Sequence, residues 1–210
     1  MIEDLSKTLK AILEDPTDPT PPDPLKSVEI VFDRPDDKFS PQRNTVDLFL
    51  YDIRENVELR SNEPRIERKD GQAIIYHPSL RVACSYLITA WPVGGADLPL
   101  TEHQLLGQIL NVLSKYPTIP EKFLQGSLKG QEPPLPMIIA QTECFKNPAE
   151  FWTAVGNKVR PSLTVTVTFS LDTLLPKDVP LVITDVITLG QRISPEETKS
   201  LLQPEKNHSV

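Results

Sequence analysis

A long strand followed by a loop and a helix is the sequence feature that most constrains the fold. Residues 80–92, LRVACSYLITAWP, are typical of a strand that ends at a proline; two glycines and a helical pattern follow. Side chains at alternate positions of the strand share one face; they are Leu80, Val82, Cys84, Tyr86, Ile88 and Ala90. The other face mixes Ala83, Leu87 and Trp91 with Arg81, Ser85 and Thr89. Because neither face is simply polar, we expect this strand in the middle of a sheet or under another subunit.

The helix after this strand and a second, shorter helix are both indicated by their start signals. Near Thr101, the Thr101–Gln104 spacing predicts a capping box, and the Leu100–Leu105 spacing predicts a hydrophobic staple. The apolar stripe of that helix is predicted to be Leu105, Leu106, Ile109, Leu110 and Leu113. A short helix is predicted from Pro148 to Gly156, with Asn147 as its cap.

Five more strands complete the predicted domain. Residues 28–32 alternate in a short strand, and in residues 46–53 Val46, Leu48 and Leu50 oppose Phe49, Tyr51 and Ile53. A strand is predicted at 135–140, and residues 163–171 alternate apolar side chains with Thr or Ser, which predicts a half-exposed strand. Together with a strand at 181–189, this order predicts an α+β fold with a mixed or mainly antiparallel central sheet flanked by helices.

The two ends of the chain are predicted to be extended additions to one domain over residues 1–190. Within residues 1–14, Ile2, Leu5, Leu9, Ile12 and Leu13 recur at helical spacing, which predicts an amphipathic helix. Residues 15–25 contain five prolines and predict an extended spacer. We expect the helix to pack on its own domain, although a neighbouring protomer is the alternative. Residues 191–210 are predicted to be a polar tail.

Charge and hydropathy exclude two classes of partner. The 210 residues carry a formal net charge of −7 and no basic cluster, so direct binding to nucleic acid is not expected. No apolar run reaches the roughly 20 residues of a membrane-spanning helix, and the acidic start is unlike a signal peptide. The sequence therefore predicts a soluble, cytoplasmic protein without direct membrane insertion.

No catalytic, cofactor-binding or metal-binding residues are predicted. The histidines, His77, His103 and His208, lack metal-ligand spacing, and Cys84 and Cys144 lack the Cys-x-x-Cys pattern. Neither a phosphate-binding loop nor a nucleophile elbow is present. We therefore predict no enzymatic activity and no cofactor, and we expect Trp91 and Trp152 to anchor a core or an interface.

The connection over residues 54–79 has an unusual balance of charge. Five basic and five acidic side chains alternate within residues 54–70, and the arginines are Arg54, Arg60, Arg65 and Arg68. Such a segment is most simply a solvated hairpin or loop. A structureless connection longer than about 15 residues is uncommon unless it is functional, so a contact surface is the alternative.

Several blocks together resemble one family. They are Ile2-Glu-Asp-Leu-Ser6, residues 46–56 running into Glu58-Leu-Arg60, Tyr86-Leu-Ile-Thr-Ala-Trp91, and Glu102-His-Gln-Leu-Leu-Gly107. In order and spacing they are similar to the tail-terminator, or cap, proteins of phage-tail-like contractile injection systems. The resemblance covers roughly residues 1–190.

The resemblance implies a structural role. Such caps form a six-fold ring that ends the inner tube and the contractile sheath at the end distal to the baseplate. The implied partners are other copies of the chain, the sheath protein and the tube protein, and the implied location is an assembled particle, released or attached to a membrane through the particle. A phage head–tail connector or tail-completion protein is the alternative, and a small-ligand-binding or enzymatic α+β domain is a further one.

Two segments are interface candidates under this resemblance. The strand 181–189, with Leu181, Ile183, Ile187 and Leu189, and the tail after it are candidates for adding a strand to the sheath. The charged segment 54–70 is the candidate for a contact between rings or with the tube, where alternating charges would set the register.

Overall fold

The computed structural model describes residues 1–15, 24–69, 72–141 and 147–180. The chain divides into two compact units: Met1–Arg65 with Tyr76–Pro176, and Ile66–Ile75 with the chain from Lys177 onwards. The helices are α1 (Ile2–Leu13), α2 (Leu98–Ser114) and α3 (Pro148–Ala154). The strands are β1 (Glu29–Val31), β2 (Thr45–Glu55), β3 (Arg65–Lys69), β4 (Gln72–Tyr76), β5 (Leu80–Trp91), β6 (Met137–Ile139), β7 (Leu163–Leu171) and β8 (Lys177–Pro180).

The first unit is built on a five-stranded mixed sheet in the order β1-β2-β5-β7-β6. β1 runs parallel to β2, and the other neighbouring strands are antiparallel. β5 is the central strand, as its two mixed faces predict, and it pairs along most of its length with both β2 and β7. The predicted α+β class with a mainly antiparallel central sheet is confirmed.

One face of this sheet carries α1 and α2 and forms the main core. Leu5, Leu9 and Ile12 of α1 are almost completely buried against apolar side chains of β2, β5 and β7. The Ser6 and Tyr86 hydroxyls lie 3.0 Å apart and join α1 to β5. The amphipathic helix therefore packs on its own domain, as we expected.

The opposite face is covered at one end by α3 and by the segment between β1 and β2. The ring of Phe151 lies 6.3 Å from that of Phe49, and Phe39 meets Trp91 edge to face at 4.9 Å. In addition, the side-chain amide of Gln131 bonds to both the N–H and the C=O of Ser170, in a part of β7 that lies beyond the first residue of β6. The prediction of a half-exposed β7 is wrong, because its Thr164, Thr168 and Ser170 are buried.

A β-bulge at Tyr51 changes which face the end of β2 presents. Leu50 pairs with Tyr86, whereas Asp52 pairs with Ser85, so one extra residue lies between them. As a result, Ile53 pairs with Cys84 and lies on the same face as Leu50. The predicted opposition of Leu50 and Ile53 is therefore wrong, since strict alternation ignores the bulge.

The start of α2 also differs from the prediction. The helix begins at Leu98 with Asp97 in the cap position, and the Thr101 N–H and hydroxyl both donate to the Asp97 carbonyl at 3.1 Å. Thr101 is thus inside the helix, two residues after Pro99, and it cannot form the predicted capping box. Leu100 is 65% exposed and forms no staple, and Val112 replaces Leu110 in the buried stripe.

The start of α3 agrees with its sequence. The Asn147 side-chain oxygen accepts a hydrogen bond from the Glu150 N–H at 3.3 Å, and Pro148 occupies the first turn. After the helix, Gly156 has a φ of +78°, which glycine adopts without strain. The local sequence pattern was sufficient to predict the start of this helix, because the Asn147 cap bonds to a residue only three positions away.

The second unit contains a three-stranded sheet in the order β3-β4-β8. β4 and β8 are antiparallel, with Gln72 opposite Pro180. Part of the charged connection is therefore strand. The predicted strand 181–189 and tail 191–210 lie outside the described residues, so the single domain over residues 1–190 stays a prediction.

Candidate assembly surfaces

The described residues contain no group of three or more His, Cys, Asp and Glu side chains that could hold a metal ion. His77 and His103 are exposed, and Cys84 is a buried free thiol. Burial raises the pKa of Cys84 to about 11, so this thiol is protonated and unreactive at neutral pH. Cys144 and His208 lie outside the described residues.

The predicted interface arginines of the first unit are paired within the chain. Arg54 Nε lies 2.6 Å from Asp52 Oδ2, and Arg60 Nη1 lies 3.4 Å from Glu55 Oε1. The two arginine side chains are more than half exposed, so these pairs contribute little stability. They stand along the end of β2 and the loop after it, where a partner could reach them.

Arg65 occupies a more structured position. Its Nη1 lies 3.4 Å from Glu132 Oε2, and its guanidinium lies 4.4 Å from the centre of the Tyr76 ring. Arg68 belongs to the second unit and is exposed on β3. Leu181, Ile183, Ile187 and Leu189 lie outside the described residues.

A groove beside Arg81 is the feature that sequence reasoning missed. Arg81 is the second residue of the central strand and is only 5% exposed. Its Nη1 donates to the Ser170 hydroxyl on β7, and its Nε has no hydrogen-bond partner among the described residues. Burial lowers the pKa of this guanidinium. Within the part of the chain that the structure describes, no carboxylate forms an ion pair with Arg81.

The groove above Arg81 has a volume of about 350 Å³. Its apolar walls include Leu59, Tyr76, Pro78 and Pro133. Its charged lining consists of Arg65, Glu63, Glu132 and Asp172, besides Arg81 itself. We name this surface the Arg81 groove. One sequence signal pointed to this groove, which is that Arg81 lies within a strand between the apolar residues Leu80 and Val82.

The second half of β2 is an open sheet edge. Asn44 accepts from the Glu29 N–H of β1, whereas the Asn56 N–H donates to Arg81 of β5. Successive residues of a strand direct their backbone N–H and C=O groups to opposite sides. The backbone groups of Leu50, Ile53 and Glu55 therefore point away from β5. β1 ends opposite Asp47, and no other described strand pairs with this edge. Such an edge can accept a strand from another chain.

A charged loop lies at the other end of the sheet, between β1 and β2. Asn157 Nδ2 donates to the carbonyls of Pro35 and Asp36 at 3.2 and 3.0 Å, and Phe39 packs on Trp91. These contacts hold residues 33–38, Asp-Arg-Pro-Asp-Asp-Lys, in one conformation. We name this surface the 33–38 loop.

Trp91 belongs to an internal cluster. The Arg160 guanidinium lies 3.8 Å from the centre of its ring, and Arg160 Nη2 lies 3.1 Å from Glu102 Oε1. Arg160 also donates to the Ala90 carbonyl at 3.3 Å. Through these contacts it joins the start of α2 to the end of β5.

Helices of the described chain are all too short or too polar to cross a membrane.

The fold is that of tail-terminator caps. A PVC sheath/tube terminator of an extracellular contractile injection system, solved in the extended state, superposes with a TM-score of 0.63 and 23% identity, over 96% of this chain and 68% of that one. The tube-terminating cap of the anti-feeding prophage superposes with a TM-score of 0.61 and 21% identity, over 95% of this chain and 66% of that one. The chain thus spans about two thirds of each.

The chain belongs to the family of the Pvc16 N-terminal domain, whose family model matches residues 4–184. No curated protein sequence matches the chain significantly. The resemblance to tail-terminator proteins that the sequence blocks indicated is therefore confirmed.

Proposed function

We propose that this protein is a structural cap of a contractile injection system. In this role, six copies form a ring that ends the sheath and the inner tube at the end distal to the baseplate. The observation that carries the proposal is the family match over residues 4–184, supported by a fold shared with two terminators. The partners are the sheath protein, the tube protein and other copies of the chain. The function is assembly and not catalysis.

The proposed ring requires two different surfaces on each copy. A closed ring of identical subunits is held by a head-to-tail contact, in which one patch of a copy meets another patch of the next. Ending a polymer further requires that the cap bind its last layer without repeating the surface that the next layer would use. The open edge of β2 and the charged surfaces described above are suitable for these two contacts.

The sheath contact is assigned to the C-terminal strand. Residues 181–189, with Leu181, Ile183, Ile187 and Leu189 on one face, have the alternation of a strand that could join a sheath sheet. Arg54, Arg60, Arg65 and Arg68 are assigned to contacts between rings or with the tube, because their charges could set register there. Both surfaces would be used in an assembled particle, whether it is released or attached to a membrane through other components.

Electron microscopy tests the proposed function directly. The purified protein should form rings of six subunits, and these should bind the ends of sheath or tube fragments. Cells that lack the gene should produce tubes of irregular length. A monomer that ignores sheath and tube, or tubes of uniform length without the gene, would contradict the proposal.

A further inference from the structure

The Arg81 groove contains a buried positive charge that forms no ion pair with the described residues. An arginine that is 95% buried normally meets a carboxylate, because desolvating the guanidinium costs free energy that only a good ionic or hydrogen-bonding partner offsets. Here the Ser170 hydroxyl is the partner of Nη1, and Nε has none among the described residues. Among the described residues, the guanidinium therefore lacks a carboxylate partner, and the site suits one supplied by another chain.

The side chains around Arg81 determine which charges should lie beside that carboxylate. Glu63, Glu132 and Asp172 also line the groove, and only Glu132 is paired with a base there, namely Arg65. Asp172 accepts a hydrogen bond from Ser79. A small free anion would be repelled by these carboxylates. A protein carboxylate with basic side chains on both sides would match the groove better.

The 33–38 loop of the same chain contains one carboxylate of this kind, Asp37. Its other two aspartates, Asp33 and Asp36, each accept a hydrogen bond from a backbone N–H within the loop. Asp37 is exposed and makes no ion pair or hydrogen bond with the described residues, and the exposed side chains of Arg34 and Lys38 flank it. The bonds from Asn157 and the packing of Phe39 on Trp91 keep the loop in place. A fixed loop loses little conformational entropy when it binds, which favours a specific contact.

The loop and the groove lie at opposite ends of the sheet. The loop packs beside Trp91, the last residue of β5, whereas Arg81 is the second residue of that strand. Since a strand rises about 3.3 Å per residue, the two sites are separated by roughly 30 Å. The 33–38 loop cannot reach the groove of its own copy, so a loop that fills the groove must come from another copy.

We propose that the 33–38 loop of one copy docks in the Arg81 groove of the next copy. Asp37 pairs with Arg81, and Arg34 and Lys38 face the acidic rim at Glu63, Glu132 and Asp172. The two patches differ, so the contact is head-to-tail and repeats around a ring. This inference rests on the proposed ring and assigns the contact that closes it.

Mixing two single variants tests the contact. Asp37→Lys removes the loop's carboxylate, and Arg81→Gln removes the groove's cation. Each variant alone should form at least roughly tenfold fewer rings than the wild type, measured by mass photometry and electron microscopy. A mixture of the two retains one intact loop and one intact groove, so it should form dimers and stop there. The double variant should remain monomeric.

Controls separate this contact from folding and from the ring itself. Glu3→Lys makes the same charge change on α1, at a side chain that is 78% exposed, and should leave rings unchanged. Melting curves of all variants establish that they fold. If Asp37→Lys and Arg81→Gln form rings like the wild type, the contact is overturned while the cap proposal stands.

A crosslinking experiment covers the case in which the wild type forms no rings alone. Leu59 lines the groove and is 46% exposed, so a mixture of Asp37→Cys and Leu59→Cys proteins should form a disulfide-linked heterodimer. A mixture of Asp37→Cys with Ser114→Cys, at the exposed end of α2, is the matched control. No excess of the first crosslink over the second overturns the contact. Acetate tests the alternative that the groove binds a small anion. If rings persist in every variant and acetate raises the melting temperature of the wild type but not of Arg81→Gln, the groove is a small-anion site and the proposed contact is overturned.

Discussion

At the scale of single residues, Asp47 is an acid in an apolar position. It is fully buried on β2, and its Oδ1 accepts a hydrogen bond from the Asp33 N–H at 2.8 Å. Its Oδ2 has no partner among the described residues. Burial raises the pKa of Asp47 to about 7; the Asp33 N–H opposes this rise, and the nearby Asp33 charge adds to it. An ordinary aspartate has a pKa of about 3.9.

This shift predicts a stability that falls as the pH rises. Between about pH 4 and pH 7 the folded state binds a proton at Asp47 that the unfolded state has lost, so its contribution is fully present below pH 4 and is lost as the pH passes 7. The slope from this group is at most about 1.4 kcal/mol per pH unit. Asp47→Asn keeps the acceptor for Asp33 and cannot ionise. Urea unfolding from pH 4 to pH 8 should therefore show a flatter profile and higher stability at pH 8 for this variant.

Asp52→Asn is a useful control, because Asp52 is a partly exposed carboxylate on the same strand. It should leave the pH slope of the wild type in place. Equal slopes for the wild type and Asp47→Asn would show that Asp47 ionises alike in the folded and unfolded states.

At the scale of elements, α1 contributes to the core of its own copy. Leu9 is fully buried at the centre of the helix, so Leu9→Ala should lower the free energy of unfolding by about 2–5 kcal/mol. Urea unfolding of dilute, monomeric protein measures this. Lys7→Ala, at an exposed position one half-turn away, should change stability by less than about 0.5 kcal/mol. If Leu9→Ala weakened assembly but not the monomer, α1 would pack on a neighbouring copy.

The charged segment 54–70 makes a prediction at the same scale. Because we assign Arg65 and Arg68 to contacts with a neighbouring ring or the tube, Arg65→Glu together with Arg68→Glu should reduce binding of rings to tube ends by roughly tenfold or more. Co-sedimentation with tubes measures this. Lys7→Glu with Lys115→Glu makes the same change in net charge at exposed positions outside the assigned contact and gives the reference. Normal tube binding by the first pair would remove these arginines from the contact.

At the scale of the whole molecule, the tail tests the sheath contact. Deletion of residues 190–210 should leave rings that no longer retain sheath, because the tail follows the strand assigned to the sheath. Co-purification of sheath with the truncated ring measures retention. Replacing the same residues by a Gly/Ser segment of equal length distinguishes lost contacts from lost length. Normal sheath retention by the truncated protein would refute the assignment.

Elements that depend on local patterns were predictable from the sequence alone. The amphipathic spacing of residues 2–14 gave α1, alternation gave the bounds of β5 and β7, and Asn147-Pro148 gave the start of α3. The order of these elements and the spacing of structural blocks were enough for the fold class and the family. Each of these features depends on neighbours within a few positions along the chain, and such patterns can be read without a structure.

Tertiary structure decided what depends on distant residues. The threonine face of β7 is buried because other segments cover it, and the bulge at Tyr51 moved Ile53 to the other face. Arg81 became a candidate site only because Ser170 stands opposite it and the walls of a groove surround it. Burial and charge environment are set by residues far apart in sequence. A single strand pattern shows which side chains share a face, whereas only the folded chain decides what meets that face.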